Sequence, residues 1–186
     1  MGPLIVILLL IGLVVAFVVG LYNGLVRLRQ QVKNAWSQID VQLKRRYDLI
    51  PNLVETVKGY AKHEKETLEA VIQARNAAVS AQGVEQQAKA ENMLTGALRQ
   101  IFALSERYPD LKANQNFRDL QVQLEGTENR ITIARQRYIQ SIKEFNNLVT
   151  VPPTSWYNAA FLSHDKKPQF TVDDEVAIQQ PPKVKF

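Results

Sequence analysis

The sequence contains no cysteine, and this absence excludes disulfides, thiolate metal sites and cysteine nucleophiles. Histidine is almost as scarce, since only His63 and His164 occur. His63-Glu64 lacks the second histidine, one helical turn later, that a zinc-peptidase helix requires. Ser163, His164 and Asp165 are adjacent in the chain, whereas the members of a catalytic triad come from separate elements. We therefore expect a non-enzymatic protein with no metal and no cofactor.

Proline is nearly absent from the body of the chain, where only Pro51 and Pro109 interrupt the stretch from residue 4 to residue 149. Because proline breaks helix interiors, this body is free to be almost wholly helical. No strand-like alternation of apolar and polar residues competes with the helical pattern. Five further prolines fall within residues 151–186 and indicate a separate C-terminal tail.

Charged residues are missing from residues 2–26, and the stretch from Pro3 to Leu21 is almost entirely aliphatic. About twenty residues at 1.5 Å each span the roughly 30 Å hydrocarbon core of a bilayer. A cleaved signal peptide is the alternative, but the stretch lacks the preceding basic residues and the small-residue cleavage site of such a peptide. The sequence therefore predicts a transmembrane anchor at 1–25.

Basic residues follow the anchor at once, since Arg27, Arg29 and Lys33 all precede Asp40, the first acidic residue. Cytoplasmic flanks of membrane helices are enriched in lysine and arginine. We therefore expect a single-pass protein with its amino terminus outside and the rest of the chain in the cytoplasm. The same three basic side chains are the expected contacts with lipid headgroups.

A stripe of small residues runs along the anchor, where Gly12, Ala16, Gly20 and Gly24 recur every four residues. Helices in a bilayer associate where small side chains let their backbones approach closely. Glycine and alanine are also common in membrane helices that make no such contact. We predict that the stripe packs against other copies of the chain, giving a homo-oligomer of more than two subunits.

The body shows the apolar spacing of amphipathic helices. The first helix has one apolar face over about thirty residues, and Pro51 is expected to kink or briefly interrupt it. Further helices are predicted at about 65–81, 85–108 and 112–149, with Gly83 as the stop after the second helix and a turn at Pro109. The last helix has a coiled-coil-type seam at positions 117, 120, 124, 127, 131, 134, 138, 141 and 145.

Each of these helices alone would leave its apolar stripe in water, so the helices must pack together. The sequence therefore predicts an all-α fold. An N-terminal transmembrane helix continues into a long antiparallel four-helix, coiled-coil-like bundle over residues 26–150.

The basic run Lys44-Arg45-Arg46 lies about 28 Å beyond the anchor, too far to reach the headgroups of its own membrane. These side chains are either solvated or paired with acidic residues of a neighbouring subunit. The polar segment 127–130 leaves a similar choice between hydrogen bonds within the bundle and a contact between subunits. The net charge of +5 accompanies no nucleic-acid motif, so we expect no nucleic-acid partner.

Three aromatic residues of the tail, Trp156, Tyr157 and Phe161, are typical of the interface between lipid and water. An up-and-down bundle returns residue 149 toward the bilayer, which would place these side chains near its surface. They are expected to contact the membrane, a neighbouring subunit or their own bundle. From about residue 166 the tail is polar and rich in proline, and we expect it to be extended.

Several longer motifs resemble those of the LemA family. They are YNGLV at 22–26, AWSQIDVQLKRR at 35–46, DLIPNLV at 48–54, ERYPDLKA at 106–113 and TENRI at 127–131. The resemblance implies a bacterial protein with a single N-terminal membrane helix and a long helical bundle. It implies no established reaction and no transferable catalytic residues. Family members often occur in gene neighbourhoods with membrane proteases, and one relative works in magnetosome formation.

Two functions remain open at this point. The small-residue stripe favours a non-enzymatic, membrane-anchored scaffold in the bacterial inner membrane, which self-assembles and organises or shapes the lipid around it. The gene neighbourhood implied by the resemblance favours an adaptor or regulator of a membrane protease or another envelope protein.

Overall fold

The computed structural model describes residues 2–167, apart from the side chain of Phe161. The helices are α1 (Gly2–Tyr60), α2 (Lys65–Ser80), α3 (Gly83–Ser105), α4 (Pro109–Ala113), α5 (Gln115–Thr150) and α6 (Thr154–Tyr157), followed by a π-helical turn at Asn158–Leu162. Residues 2–167 contain no strand. The predicted all-α fold, with a long apolar N-terminal helix that continues into a helical bundle, is confirmed. The predicted extended tail lies outside the described residues.

Helix α1 passes through Pro51 without the interruption that the sequence suggested. Proline has no amide hydrogen, so the carbonyl oxygen of Tyr47, four residues earlier, receives no helical hydrogen bond from residue 51. Arg75 of α2 replaces it, because its Nε donates to that oxygen at 2.9 Å. The helix therefore continues because a neighbouring helix supplies the missing donor.

The connections between helices differ in detail from the prediction. Gly83 does not stop α2, which ends at Ser80; it is the first residue of α3 and has a φ of 80°, which glycine adopts without steric strain. Pro109 begins the short helix α4, where its missing amide is not needed. Asn114 caps α5, since its Oδ1 accepts a hydrogen bond from the amide of Phe117 at 2.9 Å.

The predicted seam of α5 is buried at eight of its nine positions, and Leu120 is the exception, being half-buried. Two members of the seam are polar, and their hydroxyls bond within the helix. Thr127 donates to the carbonyl oxygen of Gln123 at 2.7 Å, and Ser141 donates to that of Arg137 at 2.9 Å. A buried hydroxyl that is satisfied in this way does not disturb an apolar seam.

The chain divides into two compact units. We call residues 1–37 and 136–168 the terminal unit, and residues 38–135 the central unit. Fully buried side chains of the central unit include Ile39, Ile50, Leu53, Leu94, Ile101, Leu104, Phe117 and Ile131. Those of the terminal unit include Leu25, Ile142 and Phe145. The two units are defined by contacts within the chain. The predicted division into anchor, bundle and tail is a different one and stays a prediction.

We expect Arg75→Ala to lower the free energy of unfolding by about 1–2 kcal/mol, because it leaves the Tyr47 carbonyl without a donor. In a Pro51→Ala background the restored backbone amide bonds that carbonyl, so the same substitution should cost about 1 kcal/mol less. Urea unfolding of the full chain in mild detergent, followed by circular dichroism, measures all four members of this cycle.

The matched control is Arg99→Ala, which removes an exposed arginine of α3 and should show no coupling to Pro51. Strict additivity of Arg75→Ala and Pro51→Ala would contradict the proposed role of Arg75.

Candidate membrane-proximal site

The first part of α1 presents aliphatic side chains that the described chain does not cover. Every residue from 2 to 17 is exposed, and Leu9 and Leu13 reach 68% exposure. This segment belongs to α1, which by length and composition is able to cross a membrane. Gly12 and Ala16 lie within it, and Gly20 and Gly24 follow. A Cβ atom added at Gly12, Gly20 or Gly24 would meet nothing within 4 Å, so packing within the chain does not require glycine there.

Protein covers α1 fully for the first time at Leu25, which is 1% exposed, whereas Val18, Leu21 and Gly24 before it are partly covered. In the terminal unit, the segment that can provide this cover is 136–167. Two contacts fix its direction: Gln31 Nε2 donates to Glu144 Oε2 at 3.4 Å, and the ring centroids of Trp36 and Tyr138 are 5.2 Å apart. Residue numbers rise along α1 as they fall along α5, so these two segments are antiparallel.

This register places the end of α5 at the level of the first buried residue of α1. Both helices rise by 1.5 Å per residue, so Leu25 is level with about residue 150. Helix α5 ends at Thr150, and the preceding Val149 is 6% exposed. The chain therefore turns at the level of Leu25, the first buried residue of α1.

The segment after this turn carries one exposed aromatic side chain. Trp156 in α6 is 71% exposed, whereas Tyr157 is half-buried. The side chain of Phe161, the third predicted interfacial residue, lies outside the described residues. The contact of these side chains with lipid stays a prediction.

Two asparagines bind the segment after the π-helical turn to the rest of the terminal unit. The Asn146 side chain donates to the Lys167 carbonyl at 3.0 Å and accepts from its amide at 2.9 Å. Asn158 makes the same pair of bonds with His164, at 2.9 and 3.0 Å. The Lys167 ammonium also lies 5.7 Å from the centroid of the Phe145 ring. Lys167 therefore lies against helix α5 of its own chain, outside the segment that contains the three aromatic residues.

Sequence reasoning missed both asparagines, and no spacing signal identifies them. An asparagine near the end of a long helix is ordinarily read as a solvated residue. The side chains of Asn146 and Asn158 each take the place of a backbone partner, because a carboxamide has N–H donors and a carbonyl acceptor in the same plane.

The basic run 44–46 separates into exposed and buried residues. Lys44 and Arg45 are exposed, and their contact with a neighbouring subunit stays a prediction. Arg46 is 3% exposed, so the expectation that it is solvated or faces another subunit is wrong. It lies three residues after Leu43 and four before Ile50, and this spacing places it on the buried face of α1.

Arg46 pairs with two carboxylates of its own chain. Its Nη1 lies 3.0 Å from Glu91 Oε2 and 2.9 Å from Glu128 Oε2. Its Nη2 donates to Thr95 Oγ1 at 2.8 Å. The guanidinium thereby joins α1, α3 and α5 within the central unit. For Glu128, which belongs to the polar segment 127–130, the structure shows the alternative in which bonds form within the bundle.

Glu91 is fully buried and was not singled out from the sequence. Besides Arg46, it accepts hydrogen bonds from the Tyr47 hydroxyl and, at 3.3 Å, from Gln87 Nε2. Burial, followed by the hydrogen bond and the negative charge of Glu91, raises the pKa of Tyr47 well above its ordinary value. The phenol therefore remains protonated and continues to donate to the carboxylate.

Arg135 adds a second, half-buried positive charge near this group. Burial lowers the pKa of its guanidinium, while Glu128 and Glu91 act in the opposite direction. Two arginines and two glutamates thus interact electrostatically, and their four charges balance. Such a network holds helices in one arrangement.

Comparison with known proteins agrees with the resemblance noted in the sequence. The family model described as the LemA family matches residues 35–186. The chain is 29% identical over 155 residues to Protein LemA of Metamycoplasma hominis, and this match covers 81% of the chain and 68% of that relative.

The two neighbouring arginines 45 and 46 provide a direct test of the network. Arg46→Ala leaves the buried Glu91 carboxylate without its counter-charge, so we expect a loss of about 3–5 kcal/mol in the free energy of unfolding. Arg45→Ala, at an exposed position, should change it by less than about 0.5 kcal/mol. Urea unfolding of the full chain in detergent measures both; equal effects of the two substitutions would show that the network does not stabilise the fold.

Proposed function

The chain belongs to the LemA family, and we propose that this member is a non-enzymatic scaffold that α1 anchors in the bacterial inner membrane and that assembles with copies of itself. The observation that carries the proposal is the uncovered aliphatic stretch at residues 2–17. Lipid is the environment that covers such a stretch without a second protein.

The orientation of the anchor follows from the residues beyond it. Arg27, Arg29 and Lys33 are exposed on the side of Leu25 that continues into the rest of the chain. The positive-inside rule then assigns the body of the protein to the cytoplasm and the amino terminus to the outside.

Assembly is supported by the small-residue stripe and by the space around it. Nothing in residues 2–167 approaches a Cβ atom placed at Gly12 or Gly20, so packing within these residues does not explain why the two positions lack side chains. Close approach of a second membrane helix would explain it. Gly24 is half-buried by its own chain, so the freely accessible part of the stripe is at Gly12, Ala16 and Gly20.

We expect the double substitution Gly12→Ile and Gly20→Ile to reduce the assembly to smaller particles, because the added side chains keep neighbouring helices apart. The matched control is Ile7→Phe with Val14→Phe, which adds bulk on about the opposite side of the same helix at 3.6 residues per turn. Particle mass in native lipid nanodiscs is the measurement, with circular dichroism to confirm that the helices are retained.

An unchanged particle mass in the glycine double variant would show that the stripe is not the interface. A wild-type chain that is monomeric and co-purifies with a different membrane protein would favour an adaptor instead of a scaffold.

A further inference from the structure

The positive charge of the chain is concentrated in one of its two units. The terminal unit, at 1–37 and 136–168, contains seven lysines and arginines but only Glu144 and Asp165 as acidic residues. The central unit is almost balanced, with fourteen basic and thirteen acidic residues over 38–135. The terminal unit therefore carries a net charge equal to the +5 of the whole chain.

The basic residues of the two units also differ in their partners. Within residues 2–167, the ion pairs lie in the central unit, from Arg46–Glu91 to Lys112–Glu106. The exposed terminal-unit residues Arg27, Arg29 and Lys33 form no ion pair with a described acidic residue. The same is true of Lys143 and Lys166. These five residues, which we call the basic collar, are available to an external anion.

The collar occupies a narrow level just beyond Leu25. Lys33 is about 12 Å along α1 from Leu25, and Arg27 and Arg29 are closer. The antiparallel register of α1 and α5 places Lys143 at about the level of Lys33. Lys166 precedes Lys167, which the Asn146 side chain holds against α5 at that level. Two separate chain segments thus bring positive charge to one band around the unit.

We propose that the basic collar binds the anionic headgroups of lipids on the membrane surface from which α1 emerges. The inference rests on the proposed membrane anchor and adds the lipid class that the anchor prefers. Headgroup phosphates lie directly beyond the hydrocarbon core, and lysine or arginine within a Debye length of about 8–10 Å interacts with them strongly. The exposed Trp156, in the same unit, has the chemistry of a side chain at that interface.

Nucleic acid is the other polyanion that a basic surface attracts, but the position of the collar favours lipid. The three α1 members, Arg27, Arg29 and Lys33, follow immediately after the uncharged residues 2–26, in a helix long and apolar enough to cross the bilayer. Anionic headgroups therefore surround the collar at high local concentration whenever α1 is inserted.

The test uses the full chain in bilayers of phosphatidylcholine that contain spin-labelled phosphatidylglycerol or spin-labelled phosphatidylcholine as the probe. The fraction of each probe immobilised at the protein gives its relative affinity. We expect phosphatidylglycerol to be preferred several-fold at low salt, and this preference to shrink in high salt. Replacing Arg27, Arg29, Lys33 and Lys143 by glutamine should bring the ratio of the two lipid affinities close to one.

The matched control replaces two lysines and two arginines of the central unit, Lys58, Lys62, Arg99 and Arg130, by glutamine, and should keep the preference. Equal immobilisation of the two lipids by the wild type would contradict the proposed binding of anionic headgroups by the collar. So would a control variant that loses the preference for phosphatidylglycerol as fully as the collar variant does. Preferential binding of single-stranded RNA by the collar over phosphatidylglycerol would also overturn it. No immobilisation of either lipid would instead refute the membrane anchor itself.

Discussion

The aliphatic side chains of residues 2–17 have no cover within the described chain, and the rest of the structure is arranged around that constraint. Burying one such side chain is worth about 1.5–3 kcal/mol, so about a dozen of them amount to tens of kcal/mol. This exceeds the 5–15 kcal/mol by which a typical domain is stable. We propose that a lipid bilayer provides the missing environment, so that Leu25, the first buried residue of α1, marks the boundary at which protein packing replaces lipid.

Polar groups, in contrast, determine how α1 joins its neighbours in the central unit. Arg46 contacts α3 and α5 through Glu91 and Glu128, and Arg75 of α2 bonds the carbonyl that Pro51 leaves free. An apolar stripe tolerates small shifts of one helix along another, whereas a buried ion pair tolerates them poorly because any loss of contact leaves a charge without a partner. These contacts therefore specify the register of the helices more strictly than the apolar core alone.

Periodicity was sufficient to predict most of the helices, because one buried face repeats along each of them. The α5 seam is the clearest case, since eight of its nine positions are buried. The same reasoning failed for Arg46, because a charge within a basic run is ordinarily solvated. Its partner Glu91 lies 45 residues away, a distance over which sequence spacing carries no information. The prediction that Gly83 stops α2 was wrong for a different reason, since a glycine with a positive φ can begin a helix as well as end one.

The depth of α1 in a bilayer tests the central claim most directly, and the absence of cysteine makes the measurement clean. Single cysteines placed in turn at residues 8–34 of the full chain carry a nitroxide, and collisions with oxygen and with a water-soluble nickel chelate are compared at each position. Collisions with oxygen should dominate from residue 8 to about residue 20, since a helix rising 1.5 Å per residue keeps these positions in the hydrocarbon. Beyond Leu25, collisions with the nickel chelate should become the more frequent ones. Strong collisions with nickel at Gly12 and Ala16 would contradict the account, because the aliphatic stretch would then lie in water.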